Sequence, residues 1–180
     1  IDADGVSKFL LFDRVYEKVE TDLFIDVVKE GMVVVDVGAH IGYYSLIAAK
    51  LVGNAGKVYA FEPEPNNYRL LCQNIKANNY ANVFAIPKAV SNRSGRRTLH
   101  LSKRAHDHSF LADNLYDVKD RAGSIEVETT FLDEFFQQET GGKIDVIKID
   151  AEGAEWLILK GMEGIIKANN NLKIFVPTSN

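Results

Sequence analysis

Residues 33–46 read VVVDVGAHIGYYSL. The run from Val33 to Val37 is short, β-branched and almost wholly apolar, as a parallel strand buried on both faces requires. It contains one acid, Asp36, and leads through Gly38 and Gly42 into a helix-like run carrying Ile41, Tyr44, Ala48 and Leu51 at helical spacing. A carboxylate in such a place is costly unless it meets a partner, and the glycines imply that something comes close to the backbone. A strand, a tight glycine turn and a helix form the first half of a βαβ unit.

Working outward, Gly53-Asn54-Ala55-Gly56 ends that helix, and Lys57–Phe61 reads as a second strand closed by Glu62-Pro63-Glu64-Pro65. A helix follows, with Tyr68, Leu71, Cys72 and Ile75 on its inward face, which places the thiol in the core. Val83–Ile86 is the third strand. Arg97–Ser102 and Ser124–Thr130 alternate apolar and polar residues, the period of half-exposed strands, and pair as a hairpin across the polar connection 103–123. A short helix is expected over 131–139, a buried strand over Ile144–Ile149, one helix over 153–167 with Ile158, Met162 and Ile165 inward, and a last strand over 172–176. Upstream, residues 8–29 carry apolar side chains at three- and four-residue steps.

Alternating strands and helices predict an α/β fold, a doubly wound and mostly parallel sheet with right-handed crossovers and an inserted β-hairpin. The expected organisation is one compact domain: an N-terminal helical segment over 1–30 and the ligand-binding part over 31–180. At 180 residues with 46% hydrophobic and 26% charged residues, the composition is that of a globular protein with a real core. The net charge of −4 argues against a nucleic-acid partner. Cys72 is the single cysteine, so no intrachain disulfide forms, and no apolar run reaches membrane-spanning length. Nothing near residue 1 reads as a signal peptide, so the expected location is cytoplasmic.

In a doubly wound sheet, ligands bind outside the carboxyl ends of the strands. Asp36, Glu62 and Asp150 all fall at that rim. A carboxylate at the tip of the second strand can accept from two vicinal ribose hydroxyls, which suits NAD and S-adenosylmethionine equally. The first loop separates them. A dinucleotide site wants G-x-G-x-x-G facing a pyrophosphate, whereas Asp36-Val37-Gly38-Ala39-His40-Ile41-Gly42 lacks the middle glycine and puts an acid before the first. That acid would repel a pyrophosphate but help hold an ammonium. Bland readings stand beside these: Glu62 as the acid that opens the following helix, Asp150 as the N-cap of the next one with Glu152 favouring its dipole, and His106 and His108 in a solvated loop.

Three segments, VVVDVGAHIGYYSL, VYAFEPEPNNYRLLCQNI and IDVIKIDAEGAEWLILKGM, with AVSNRSG and TTFLDEF between them, resemble the FkbM-type S-adenosylmethionine-dependent methyltransferases in order and spacing. The resemblance spans roughly residues 16–166 and implies O-methylation of a hydroxyl on a sugar or other secondary metabolite. It implies that Asp36, Gly38 and Gly42, with Ala39 and His40 between them, line the methionyl end, and that Glu62 at the Glu62-Pro63 tip holds the ribose. Ala89 and Val90 would lie by the adenine, and Asp150 and Glu152 beside the transferred methyl. His108 is the expected proton acceptor, since a neutral imidazole takes a hydroxyl proton near neutral pH. No metal is expected, the two histidines being too generically spaced, and His100 and Trp156 read as a surface and a packing residue. His40 stands where the family more often has Asn. The sequence ends four residues after Val176, where methyltransferases of this type add a strand hairpin. The sheet is therefore expected to have an unpaired edge, met by a homodimer or covered by the 97–130 hairpin. The alternatives are a nicotinamide-dependent oxidoreductase and a non-catalytic nucleotide-binding domain.

Overall fold

The computed structural model describes residues 15–102, 109, 121–139, 143–151 and 153–176. In chain order these form α1 (Lys18–Val27), β1 (Val33–Val37), α2 (Tyr43–Val52), β2 (Lys57–Phe61), α3 (Pro65–Ala77), β3 (Val83–Ile86) and β4 (Ala89–Val90). There follow β5 (Gly95–Ser102), β6 (Arg121–Thr130), α4 (Leu132–Glu139), β7 (Val146–Ile149), α5 (Glu155–Lys160), α6 (Glu163–Ala168) and β8 (Lys173–Phe175).

The main sheet has the order β3-β2-β1-β7-β8, with every pairing parallel. The chain winds outward from β1 to β3, then returns to the other side of β1 to place β7 and β8. Its direction of winding therefore reverses between β1 and β7, and the helices leaving those two strands part there to open a crevice. Apolar side chains cover both faces. Val34, Val58 and Val146 meet Phe24 from α1, Val28 just after it, and Tyr44, Ala48 and Val52 from α2. Val35, Val37, Tyr59, Phe61, Ile147 and Ile149 meet Phe136 from α4, Ile158 from α5 and Ile165 from α6. The apolar character of β1, interrupted only by Asp36, thus has a physical cause: the strand has no solvent face.

The inserted hairpin forms as the alternation predicts, with Arg97 opposite Val127 and Leu99 opposite Ile125. It does not cover the β8 edge. Ala89–Val90 leaves the main sheet after β3 and pairs in parallel with Thr129–Thr130, so the hairpin builds a separate three-stranded sheet, β4-β6-β5. Among the described residues β8 has β7 on one side and nothing on the other.

Further expectations are corrected. The helix over 153–167 is two, broken at Gly161-Met162. Gly161 packs against the chain after β4, where an added Cβ would lie 2.2 Å from the Ser91 carbonyl oxygen. Asp133, at the start of α4, accepts from the backbone of Gly164 and Ile165 at 2.8 Å each and so caps α6 from outside. Cys72 is half-buried rather than in the core. Trp156 does not pack inward: it is 66% exposed, with the Lys160 ammonium 5.0 Å from its ring centroid. His100 is half-buried in β5, bonded through its backbone to Ser109. The helical reading over 8–29 holds for Lys18–Val27, and residues 1–14 lie outside the described ones. No helix among the described residues is long and apolar enough to cross a membrane.

Candidate functional site

Asp36 sits inside β1 rather than beyond its end, and is 2% exposed. Its Oδ2 accepts from the Ser45 hydroxyl at 2.6 Å, one turn into α2. Its Oδ1 is buried with no hydrogen-bond partner in the structure. A buried carboxylate oxygen without a donor is expensive, and the vacancy suits a ligand that brings one. Burial pushes the Asp36 carboxyl above the usual carboxylate range, against the opposing pull of the Lys148 ammonium and the Ser45 hydroxyl.

Lys148 is the neighbour of Asp36 across the sheet, so both side chains leave on the same face. It is 7% exposed, its Nζ donates to Asp150 Oδ2 at 2.8 Å, and it lies 4.4 Å from the centroid of the Tyr44 ring. Asp150 follows β7 and its backbone N–H still bonds the Val37 carbonyl at 2.9 Å, which ties the two strand ends together. It is not a helix cap: α5 begins at Glu155 and its N-cap is Ala154.

The glycine turn is shaped by contact. Gly38 has φ +80°, and a Cβ there would lie 1.8 Å from the Asp150 carbonyl oxygen, so any side chain is excluded where β1 and β7 diverge. The Gly38 and Ala39 amides donate to the Phe61 carbonyl at 3.0 and 2.9 Å, which seats the loop on the end of β2. His40 has φ +51°, the left-handed region that Asn and His tolerate better than most residues, a physical reason for either at this position.

Glu62 is 5% exposed. One oxygen accepts from the His40 amide and the other from the Glu64 amide, both at 2.8 Å, so its carboxylate is fixed between the first loop and the second. Burial nevertheless raises its pKa to about 7. The acid that opens α3 is Glu64, whose Oε2 accepts from the Asn67 amide at 2.7 Å. Glu62 is free of that duty. Each of its oxygens keeps a second lone pair for a ligand hydroxyl.

The structure brings Asp36, Gly38, Ala39, His40, Gly42, Glu62 and Asp150 to one rim, with Pro63 half-buried beside Glu62. Ala89 and Val90 are 3% and 2% exposed, with side chains packed into the hydrophobic clusters, so their side chains are engaged in the core. His106, His108 and Glu152 lie outside the described residues. Among the described residues no three His, Cys, Asp or Glu side chains come together to hold a metal ion. Sequence reasoning missed Lys148, Ser45 and the capping role of Glu64. The signal for Lys148 was present: it is the one cation inside a run otherwise suited to burial on both faces. A cavity of about 280 Å³ opens beside it, lined by Glu17 and Glu20, Tyr44, Lys148, Ile174 and Phe175.

The chemistry of this rim is anionic, with buried acceptors and close-approaching backbone. It suits a ligand that carries positive charge and hydroxyl donors, and it disfavours a pyrophosphate.

Comparison with known proteins agrees with that chemistry. The family model described as "Methyltransferase FkbM domain" matches residues 36–176. The chain is 28% identical to "Methyltransferase sdnD" of Sordaria araneosa, over 91% of this chain and 75% of that protein. It is 30% identical to "Hexuronic acid methyltransferase AglP" of Haloferax volcanii, over 82% of this chain and 57% of that protein. The solved structure of a methyltransferase FkbM from Methylobacillus flagellatus KT superposes with a TM-score of 0.54 at 18% identity, covering 79% of this chain and 32% of that one. The chain thus spans little more than half of the Haloferax relative and a third of the Methylobacillus protein.

Proposed function

Because the chain belongs to the family of FkbM methyltransferase domains, we propose that its rim binds S-adenosylmethionine and that the protein methylates a hydroxyl oxygen. The cofactor supplies a methyl group on a cationic sulfur. The observation that carries the reading is the orphaned, buried Asp36 Oδ1 beside the side-chain-free turn at Gly38. Asp36 faces the ammonium of the methionyl group, directly or through a water. The loop residues Ala39 and His40 enclose that end. Glu62 accepts from the two ribose hydroxyls, and the segment Ala89–Val90 borders the adenine. Asp150 would orient the methyl-transfer end and the incoming hydroxyl, with Glu152 assigned to the same end, and His108 would take the hydroxyl proton as the oxygen gains the methyl group and the sulfur–methyl bond breaks.

The acceptor is proposed to be a small hydroxyl-bearing metabolite such as a sugar. Support comes from the hexuronic acid methyltransferase among the relatives. The β8 edge, unpaired among the described residues, is proposed to take a second copy of the chain, because an unpaired strand invites pairing.

Thermal denaturation with added ligand tests the cofactor assignment. S-adenosylhomocysteine raises the midpoint by mass action, and NAD leaves it unchanged. A shift with NAD and none with S-adenosylhomocysteine would overturn the assignment. Once product screening has found an acceptor, His108→Ala lowers turnover across neutral pH and spares cofactor affinity. Full activity in that variant removes His108 from the mechanism.

A further inference from the structure

Lys148 is a cation placed where packing alone would call for an aliphatic side chain. It is 7% exposed in the middle of β7, between Val146, Ile147 and Ile149, which are fully buried. Such a lysine is costly unless it is paired. Asp150 accepts from Nζ at 2.8 Å, and Asp36, its register neighbour across the β1–β7 pairing, feels the charge of the ammonium. The face of the Tyr44 ring, 4.4 Å away, adds a third favourable contact for the charge.

We infer that Lys148 is a positioning residue for the methionyl end of the cofactor, holding Asp150 by a hydrogen bond and setting its ammonium beside Asp36 where β1 and β7 part. The inference rests on the cofactor assignment above. Its geometry is that of one ammonium bonded to one acid and set beside a second, which keeps an oxygen without a donor. The junction then holds two carboxyl groups and one ammonium, an arrangement that a ligand ammonium or sulfonium completes. An aliphatic residue at this position would leave two carboxylates repelling each other, and the more buried one would take up a proton.

The charges around the junction favour this reading. Asp36 is raised by burial and by Asp150, and is lowered by Lys148 and by the Ser45 hydroxyl of α2. Just beyond β2, Glu62 is another acid within reach of the Asp36 charge. Glu17 and Glu20 line the cavity on the far side of Lys148, and Glu17 accepts from the Tyr44 hydroxyl at 3.0 Å. Ile174 and Phe175 of β8 and Val176 just after it, which line the cavity there, carry no charge. Lys148 is thus the cation that acts on Asp36 within a ring of acids.

The test is calorimetric titration of S-adenosylhomocysteine into the wild type and Lys148→Met over a range of pH. The expected result is an affinity ratio that depends on pH: a loss of about tenfold or more near pH 6, narrowing as pH rises, with the acid limb displaced upward by about one unit. Glu62 titrates in both proteins and cancels in the ratio. A folded Lys148→Met protein with unchanged affinity, or with a loss independent of pH, overturns the inference. If Lys148→Met does not fold, the double variant Asp36→Asn/Lys148→Met decides: recovered folding supports the charge coupling, and no recovery overturns it. A wild type that binds no S-adenosylhomocysteine at any pH instead overturns the cofactor assignment on its own.

Discussion

At the scale of single residues, Glu62 shows how a carboxylate can be held in place and still be poised to change charge. Two backbone donors orient it, yet burial wins and lifts its pKa from 4.5 to about 7. The raised value means the folded state holds a proton that the unfolded chain has already lost between those two pH values. Stability of the ligand-free protein therefore falls as pH rises through that window, by about 3 kcal/mol, and levels off above it. Glu62→Gln removes this slope, which denaturant titrations at several pH values measure. Ribose hydroxyls donating to the carboxylate favour its ionised form, so ligand binding near neutral pH releases a proton. Calorimetry of S-adenosylhomocysteine in buffers of different ionisation enthalpy reads that release, and an enthalpy independent of buffer would place the ribose elsewhere. Glu62→Gln also weakens binding by roughly 1.5–3 kcal/mol for each charge-assisted bond lost. Gly38 is the other decisive residue. With φ +80° and the Asp150 carbonyl 1.8 Å from where a Cβ would be, Gly38→Ala forces β1 and β7 apart. The expected outcome is loss of ligand binding before loss of secondary structure, seen by circular dichroism and titration on the same sample.

At the scale of elements, the interrupted C-terminal helix is the instructive case. Its apolar positions, Ile158, Met162 and Ile165, keep helical spacing right through the break, so periodicity alone predicts one helix. The break comes from two contacts with distant segments: Ser91 crowding Gly161, and the Asp133 carboxylate taking the first free amides of α6. Asp133→Ala leaves those amides without a partner and costs about 1 kcal/mol, as other lost helix caps do. Gly161→Ala drives a methyl into the Ser91 carbonyl and costs roughly 1–3 kcal/mol. Urea denaturation of both variants checks the two figures, and equal stability of Gly161→Ala with the wild type would mean the segment after β4 yields easily.

At the scale of the whole molecule, the order β3-β2-β1-β7-β8 puts the two central strands under the crevice and the weakly held strands at the margins. Amide exchange is accordingly slowest in β1 and β7 and faster in β3 and β8, and S-adenosylhomocysteine slows it most at the carboxyl ends of β1 and β2. Much of this was legible in the sequence. VVVDV and KVYAF are strands that bury nearly all they carry, VFAI is a half-exposed strand at the margin, and the glycine turn and the acids mark the ligand rim without any tertiary information. Local chemistry, propensity and period decide such features. What folding alone decided are the relations between residues far apart in the chain. Lys148 meets Asp36 across 112 positions because two strands pair, and the hairpin joins Ala89–Val90 rather than the β8 edge. Glu64 rather than Glu62 caps α3, and Asp133 stops one helix to start another. A sequence states which groups must be buried or turned, whereas the partner that makes a buried charge tolerable is chosen by the packing of the whole chain.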